Sequence, residues 1–289
     1  MERELTVGVD GSEAGLQALD WAVDEAVRCG VPLRIVHGSS WEWYEGHEPS
    51  FSLNRDAVRQ HAERLVEGAA QHVLDRARAV RVTAQVLPDE PAAALIRESG
   101  SALAVVVGSR GRGELAGLLL GSVSLSVAAH AECPVIVVRG AAAGRTGVFG
   151  RVTVGVGDPQ EAASAVEFAL RSAERRGAAL DAVHAWRCPA HEVPDHPRAE
   201  DLMDEHRSRA EAALAEALPA ATADRAVVAV RRVAVEGRSR TALLDASARS
   251  DLLVVGAHRR KGHLGMHLGP VNHAVLHHAK CPVALIPHD

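Results

Sequence analysis

Gly108, Gly111, Gly121 and Ser122 stand in the spacing G-x2-G-x9-G-S, directly after the apolar run Ala102 to Val107. Glycine lets a backbone come close to a ligand, and a helix start offers N–H donors to an anion. That pairing suits a ribose or a phosphate. Gly108 and Gly111 would wrap around such a ligand. Gly121 and the N–H groups of Ser122, Val123 and Ser124 would face its charge, with the serine hydroxyls as further donors. Asp10 follows the short run Leu5 to Val9 and could accept hydrogen bonds from an adenine amine or a ribose hydroxyl. Arg110 and Arg112 could add charge against phosphate, although a solvated loop arginine is the commoner case. Each glycine alone is only a turn former; the spacing after a buried strand carries the weight.

The elements around these residues alternate. Leu5 to Val9 reads as a strand and Asp10-Gly11-Ser12 as a turn, with Ser12 as an N-cap. Leu16, Leu19, Ala22, Val23, Ala26 and Val27 recur at helical spacing up to Gly30. Pro32 to His37 is a second strand that ends at Gly38. Residues 39–55 lack periodicity and read as a loop, packed or lid-like. A helix over 56–79 carries Val58, Leu65, Val66, Ala69, Val73 and Leu74 on one side. Arg81 to Leu87 is a third strand, and Ala92 to Glu98 a short helix after Asp89-Glu90-Pro91. Ala102 to Val107 is a fourth strand, Ser122 to Ala131 a helix and Pro134 to Val138 a fifth strand. In an open parallel sheet, ligands sit beyond the carboxyl ends of the strands. Asp10, Gly38 and Gly108 all fall at that edge.

The 289 residues suit two domains, and aromatics at 3% require a core of Val, Ala, Leu and Ile. The net charge of −5, without a long basic run, gives no nucleic-acid footprint. Lysine occurs only at 261 and 280, so a P-loop lysine is missing from the first half. Cys29, Cys133, Cys188 and Cys281 form no CxxC and read as small buried hydrophobes in a reducing compartment. Neither a signal peptide nor a spanning apolar run is present, so the chain reads as soluble and cytoplasmic, with no membrane partner.

The chain then starts again. Thr153 to Val156 repeats Thr6 to Val9 147 residues on, and Leu180 to His184 repeats Leu33 to His37 at the same offset. Val255-Gly256 repeats Val107-Gly108, and Cys281-Pro282-Val283 repeats Cys133-Pro134-Val135, both 148 residues on. This is a tandem duplication: a domain over 1–140, a small glycine-rich linker over 141–150 and a second domain over 151–289. The second copy is degenerate. Gly157 stands for Asp10, Arg259 for Gly111, Pro270 for Ser122 and Asn272 for Ser124, while Gly256 and Gly269 persist. Asp158, one residue from the Asp10 position, could substitute. Of the 16 histidines, 11 lie after residue 146, and His273 and His277 share a helix face. Surface imidazoles are a plainer reading than a metal site, and no metal ligand set is expected.

The VGVDGS start, the VVVGSRGRG…LLLGSVS segment and the HAECPVIVVR ending resemble the universal stress protein family in its tandem form, over essentially the whole chain. The resemblance implies an α/β fold: two tandem doubly wound domains, each an open five-stranded mainly parallel sheet flanked by helices, Rossmann-like and adenine nucleotide alpha hydrolase-like. It implies ATP, with Mg or Mn as an option, held by Asp10, Gly108, Gly111, Gly121, Ser122, Val123 and Ser124. The backbone near Val9, Gly38 and Val107 would line the adenine end. Asp89-Glu90-Pro91 departs from the Gly-x-Pro often found there, which puts that edge in doubt. Family members pair their fifth strands; here strands 135–138 and 283–286 could pair within one chain, and a homodimer is open. The expected function is a nucleotide-binding regulatory protein of the stress response, without efficient catalysis. A slow ATP hydrolase and a dimeric scaffold that binds no nucleotide are the alternatives. No SGGxDS, HIGH or KMSKS pattern and no second acid for Asp10 is placed by spacing, which disfavours the enzyme.

Overall fold

A computed structural model describes residues 3–39, 55–111, 120–188, 199–218, 228–258 and 268–288. Of the expected loop over 39–55, residues 40–54 lie outside the described residues, as does most of the degenerate second loop, 259–267. The chain divides into two units, Met1–Arg139 and Gly140–Asp289.

In the first unit, β1 (Leu5–Gly8), β2 (Leu33–Gly38), β3 (Val82–Leu87), β4 (Ala104–Gly108) and β5 (Val135–Val138) form a sheet in the order β3-β2-β1-β4-β5. All pairings are parallel, with Leu5 opposite Leu33 and Val7 opposite Val106. The winding direction reverses between β1 and β4. A doubly wound sheet opens its ligand crevice at that switch point. β4 is buried along its whole length, as a strand covered on both faces must be.

Helices α1 (Glu13–Cys29), α2 (Arg55–Arg76), α3 (Pro91–Glu98) and α4 (Ser122–His130) make the crossovers. Ser12 caps α1 by accepting a hydrogen bond from the Gly15 N–H at 3.0 Å. Gly30 ends the helix at φ 65°, a conformation that only glycine adopts at little cost. The buried face of α1 is narrower than its apolar periodicity suggests. Leu16 and Val27 are exposed, and Trp21 fills the face instead. In α2 the face is Ala62, Val66 and Val73, while Val58 and Leu74 point outward. In both helices the apolar residues outnumber what one narrow stripe can bury.

The second unit repeats the plan. β6 (Arg151–Gly155), β7 (Ala179–Trp186), β8 (Val230–Glu236), β9 (Leu252–His258) and β10 (Val283–His288) are parallel in the order β10-β9-β6-β7-β8. Helices α6 (Ala163–Arg176), α7 (Ala199–Ala217), α8 (Ser239–Ser247) and α9 (Pro270–His278) connect them. The glycine-rich stretch 140–150 is more than an irregular connector, since it holds the short helix α5 (Ala142–Arg145). Two differences from the first unit matter at the strand ends. Helix α6 begins at Ala163, three residues later than an offset of 147 from Glu13 would place it. Pro159 stands where Ser12 caps α1, and Ala162 provides no side-chain cap. Strand β10 also runs two residues longer than β5.

Charge at the opposite end of the sheet is reversed between the copies. In the first, Arg34 donates to Glu98 at 2.6 Å. In the second, the equivalent residue is Asp181, which is buried and accepts from Arg151 at 2.8 Å and from Arg231 at 2.6 and 3.0 Å. Burial alone would raise the Asp181 carboxyl. The hydrogen bonds from Arg231 and Arg151, with their charges, outweigh it and hold the group below the usual carboxylate range. A depressed carboxyl stabilises the fold above its unfolded value and loses that contribution as pH falls through its folded value. Urea unfolding of Asp181→Asn at pH 7 is therefore expected to show the second domain weakened by about 1–3 kcal/mol. Below about pH 4 the gap between wild type and variant should narrow. A constant gap across that range would contradict this account.

Candidate functional site

A cleft of about 330 Å³ opens at the carboxyl edge of β1, β2 and β4. Val9 and Asp10 reach it from the end of β1, Gly38 from β2, and Val107, Gly108 and Gly111 from β4 and its exit. Gly121, Ser122, Val123 and Ser124 reach it from the start of α4. The structure thus gathers all ten sequence-derived site residues into one cavity, together with Arg110. Arg112 lies outside the described residues. Sequence reasoning placed Pro91 at this edge but missed the rest of the apolar wall: Gly8, Val36, Leu95 and Leu120. Such residues carry no chemical signature; only their position at strand ends or beside a helix start could have pointed to them.

The Asp10 carboxylate is seated between two glycines. Its Oδ1 accepts from the Ser12 N–H at 3.0 Å and the Ser12 hydroxyl at 2.6 Å. A Cβ on Gly15 would lie 2.7 Å from Oδ1, and one on Gly111 would lie 2.6 Å from Oδ2. Gly111 is therefore bare for Asp10 as well as for a ligand. Gly108 also has a packing reason. A Cβ there would lie 2.6 Å from the Ala14 carbonyl oxygen in the first turn of α1. A Cβ on Gly38 would come within 2.6 Å of the Pro91 Cα. That edge forms although Gly-x-Pro is absent: Glu90 caps α3 by accepting from the Ala92 and Ala93 N–H groups at 3.0 and 3.2 Å, with Pro91 in the first turn.

Gly121 is the N-cap of α4, and no side chain caps it. The first N–H groups of a helix have no partner within it, so those of Ser122, Val123 and Ser124 are available at the cleft. The Ser124 hydroxyl is not the ligand donor expected. It is buried and donates to the Gly108 carbonyl at 2.6 Å, tying the start of α4 to the end of β4.

The second unit has its own cleft, of about 350 Å³, at the equivalent edge. Its floor is unchanged. Gly155, Val156 and Val183 repeat Gly8, Val9 and Val36, and Leu243, Val255 and Gly256 repeat Leu95, Val107 and Gly108. The Asn272 amide donates to the Gly256 carbonyl at 3.0 Å, the same tie that Ser124 makes. Asn272 is thus a retained structural bond, although the sequence presents it as a loss. The Asp10 seat is dismantled as a set. Gly157 replaces the aspartate, and Ala162 and Arg259 replace the two glycines that made room for it. Asp158 does not take over that seat; it is exposed, and its Oδ1 accepts from the Gln160 and Glu161 N–H groups at 2.9 and 3.4 Å. With α6 starting late, His288 fills the gap against Gly256. Its ring carbon would lie 3.2 Å from a Cβ there, and its ring centroid is 5.2 Å from that of His258.

His273 and His277 stack at 6.2 Å. Among the described residues, no group of three or more His, Cys, Asp or Glu could hold a metal ion, and no helix is long and apolar enough to cross a membrane.

Two tandem parallel sheets, each with a cleft at its switch point, define a doubly wound α/β protein built by duplication. The universal stress protein family model matches residues 1–139 and again 149–287, and the chain belongs to that family. Universal stress protein Rv2005c of Mycobacterium tuberculosis is 36% identical over 287 residues, covering 96% of this chain and 95% of that one. Rv1996 of the same organism is 33% identical over 308 residues, covering 99% and 96%. A universal stress protein structure from Archaeoglobus fulgidus matches the fold with a TM-score of 0.69 at 19% identity, covering 99% of this chain and 98% of that chain.

If Ser124 and Asn272 are ties rather than ligand donors, Ser124→Ala and Asn272→Ala should each destabilise their own domain by about 1 kcal/mol in urea unfolding. Ser124→Asn should lose less than Ser124→Ala. Equal losses for the two Ser124 variants would refute the shared role.

Proposed function

We propose that this chain is an ATP-binding regulatory protein of the stress response. The nucleotide is held by the first domain, and turnover is not its purpose. One observation carries the reading: four separate segments bring all ten expected residues to one cleft at the topological switch point. A volume of about 330 Å³ lies at the small end of the range for small-molecule sites.

The residues fit the group. The apolar wall of Val9, Val36, Leu95 and Val107 suits an adenine face. Asp10 offers carboxylate oxygens to a ribose hydroxyl or to a cation. Bare backbone at Gly108 and Gly111 leaves room for the chain of the ligand. The open N–H groups at the start of α4 and the Arg110 guanidinium suit phosphate oxygens. Bound Mg or Mn would supply charge neutralisation to the phosphates, with Asp10 as the protein carboxylate nearest to hand. Among the described lining residues Asp10 is the one carboxylate, and its Oδ1 is already engaged by Ser12. No second carboxylate and no imidazole stands among those lining residues to orient a water or relay its proton. This supports storage or sensing of ATP over hydrolysis.

Calorimetric titration is expected to show ATP bound by the wild type. Asp10→Ala should weaken it by about 10–100-fold, the worth of a charge-assisted hydrogen bond. Ser122→Pro, which removes one helix-start N–H, should weaken it by about tenfold. ATP incubated with the wild type should stay intact over many equivalents. No ATP binding would sink the reading, and multiple-turnover hydrolysis lost in Asp10→Ala would replace it with an enzyme.

A further inference from the structure

One histidine stands at the same place in both copies and is bonded differently in each. His37 lies next to the end of β2, and His184 repeats it on β7, 147 residues on. The exits of β1 and β6 agree up to one bond. The Val9 N–H donates to the Val36 carbonyl at 3.0 Å, and the Val156 N–H to the Val183 carbonyl at 2.9 Å. They part at the next peptide. In the first domain the His37 Nδ1 donates to the Val9 carbonyl at 2.7 Å. In the second, the His184 Nδ1 is buried and has no hydrogen-bond partner among the described residues. The residue after that peptide bond is Asp10 in the first copy and Gly157 in the second. The bond is present where a carboxylate has to be aimed, and absent where there is none.

The geometry of a peptide links the two facts. The unit is planar, so a hold on the Val9 carbonyl fixes the plane that carries the Asp10 nitrogen. The Ser12 N–H and hydroxyl then take Asp10 Oδ1 from beyond, at 3.0 and 2.6 Å. Asp10 is thereby held through its backbone on one side and its carboxylate on the other. His37 is a firm point to hold from, since it stands opposite Val86 in the paired strands β2 and β3. A carbonyl oxygen only accepts, so the Nδ1 carries the proton, and the bond persists whether or not Nε2 is protonated. His37 is not among the described lining residues of the cleft, so it acts through Asp10 rather than on a ligand.

We propose that His37 is a positioning residue of the first cleft: its Nδ1–H holds the Val9–Asp10 peptide so that the Asp10 carboxylate is aimed at the nucleotide. The inference deepens the reading of this cleft as the ATP site and rests on it for the identity of the ligand.

The test follows the Ser12 amide and ATP binding in the full chain. His37→Phe keeps a ring and loses the donor, whereas His37→Asn keeps a donor near the place of Nδ1. Hydrogen exchange read by NMR is expected to show the Ser12 N–H at least about tenfold faster in His37→Phe, with the core amide of Val105 unchanged. Calorimetry should show ATP weakened about tenfold, the worth of one hydrogen bond. His37→Asn should bring both readouts back to within about threefold of wild type. His184→Phe should change neither. His37→Ala repeats the loss of the donor should the phenylalanine disturb the fold. Unchanged Ser12 exchange, or Ser12 and Val105 amides that speed up together, overturns the inference, because the bond would then serve the fold alone. Equal ATP affinity in wild type and His37→Phe overturns it too, as does a His37→Asn variant that stays as weak as His37→Phe. A wild type that binds no ATP, with the Ser12 response as expected, overturns the first-cleft reading and leaves the hold of His37 on Asp10 in place.

Discussion

At the carboxyl edge of the first sheet, backbone has to approach backbone with no side chain between. In the first domain the end of β4 meets the first turn of α1, and a Cβ on Gly108 would lie 2.6 Å from the Ala14 carbonyl. The end of β2 meets the start of α3 in the same way, through Gly38 and Pro91. These approaches set the walls of the cleft and bring the open start of α4 to face Asp10. The cleft is a consequence of how tightly the strand ends and helix starts can close.

Within that frame, one carboxylate separates the two copies. Asp10 needs Ser12 as a donor and needs Gly15 and Gly111 to be bare. The second domain has Gly157, Pro159, Ala162 and Arg259 at those four positions, so the seat has gone as a unit. Loss of the Ser12 cap also lets the helix start slip by three residues, and His288 occupies the space released. The floor and the tie from the helix start to the strand end were kept, because both serve the fold itself.

Much of this was legible in the residues. The glycines, Asp10 and the start of α4 as site positions, the parallel strands and the duplication follow from glycine spacing, apolar runs and a nearly constant offset, while Val9 and Val107 entered through the family resemblance. Roles were less legible than positions. Ser124 and Asn272 look like a donor and its loss, yet both make one hydrogen bond that only the fold reveals. Gly15 carried no signal because its partner, the Asp10 carboxylate, is close only in space. Leu16, Val27, Val58 and Leu74 follow the helical period but stay exposed, since periodicity does not say how wide the buried stripe is. The late start of α6 depends on a missing cap, and Pro159 in the place of Ser12 was its sequence trace.

The central claim is that nucleotide binding belongs to the first cleft alone. Native mass spectrometry of the full chain with excess ATP reads this directly as nucleotides per chain. The account predicts one. Two per chain, or none, would contradict it.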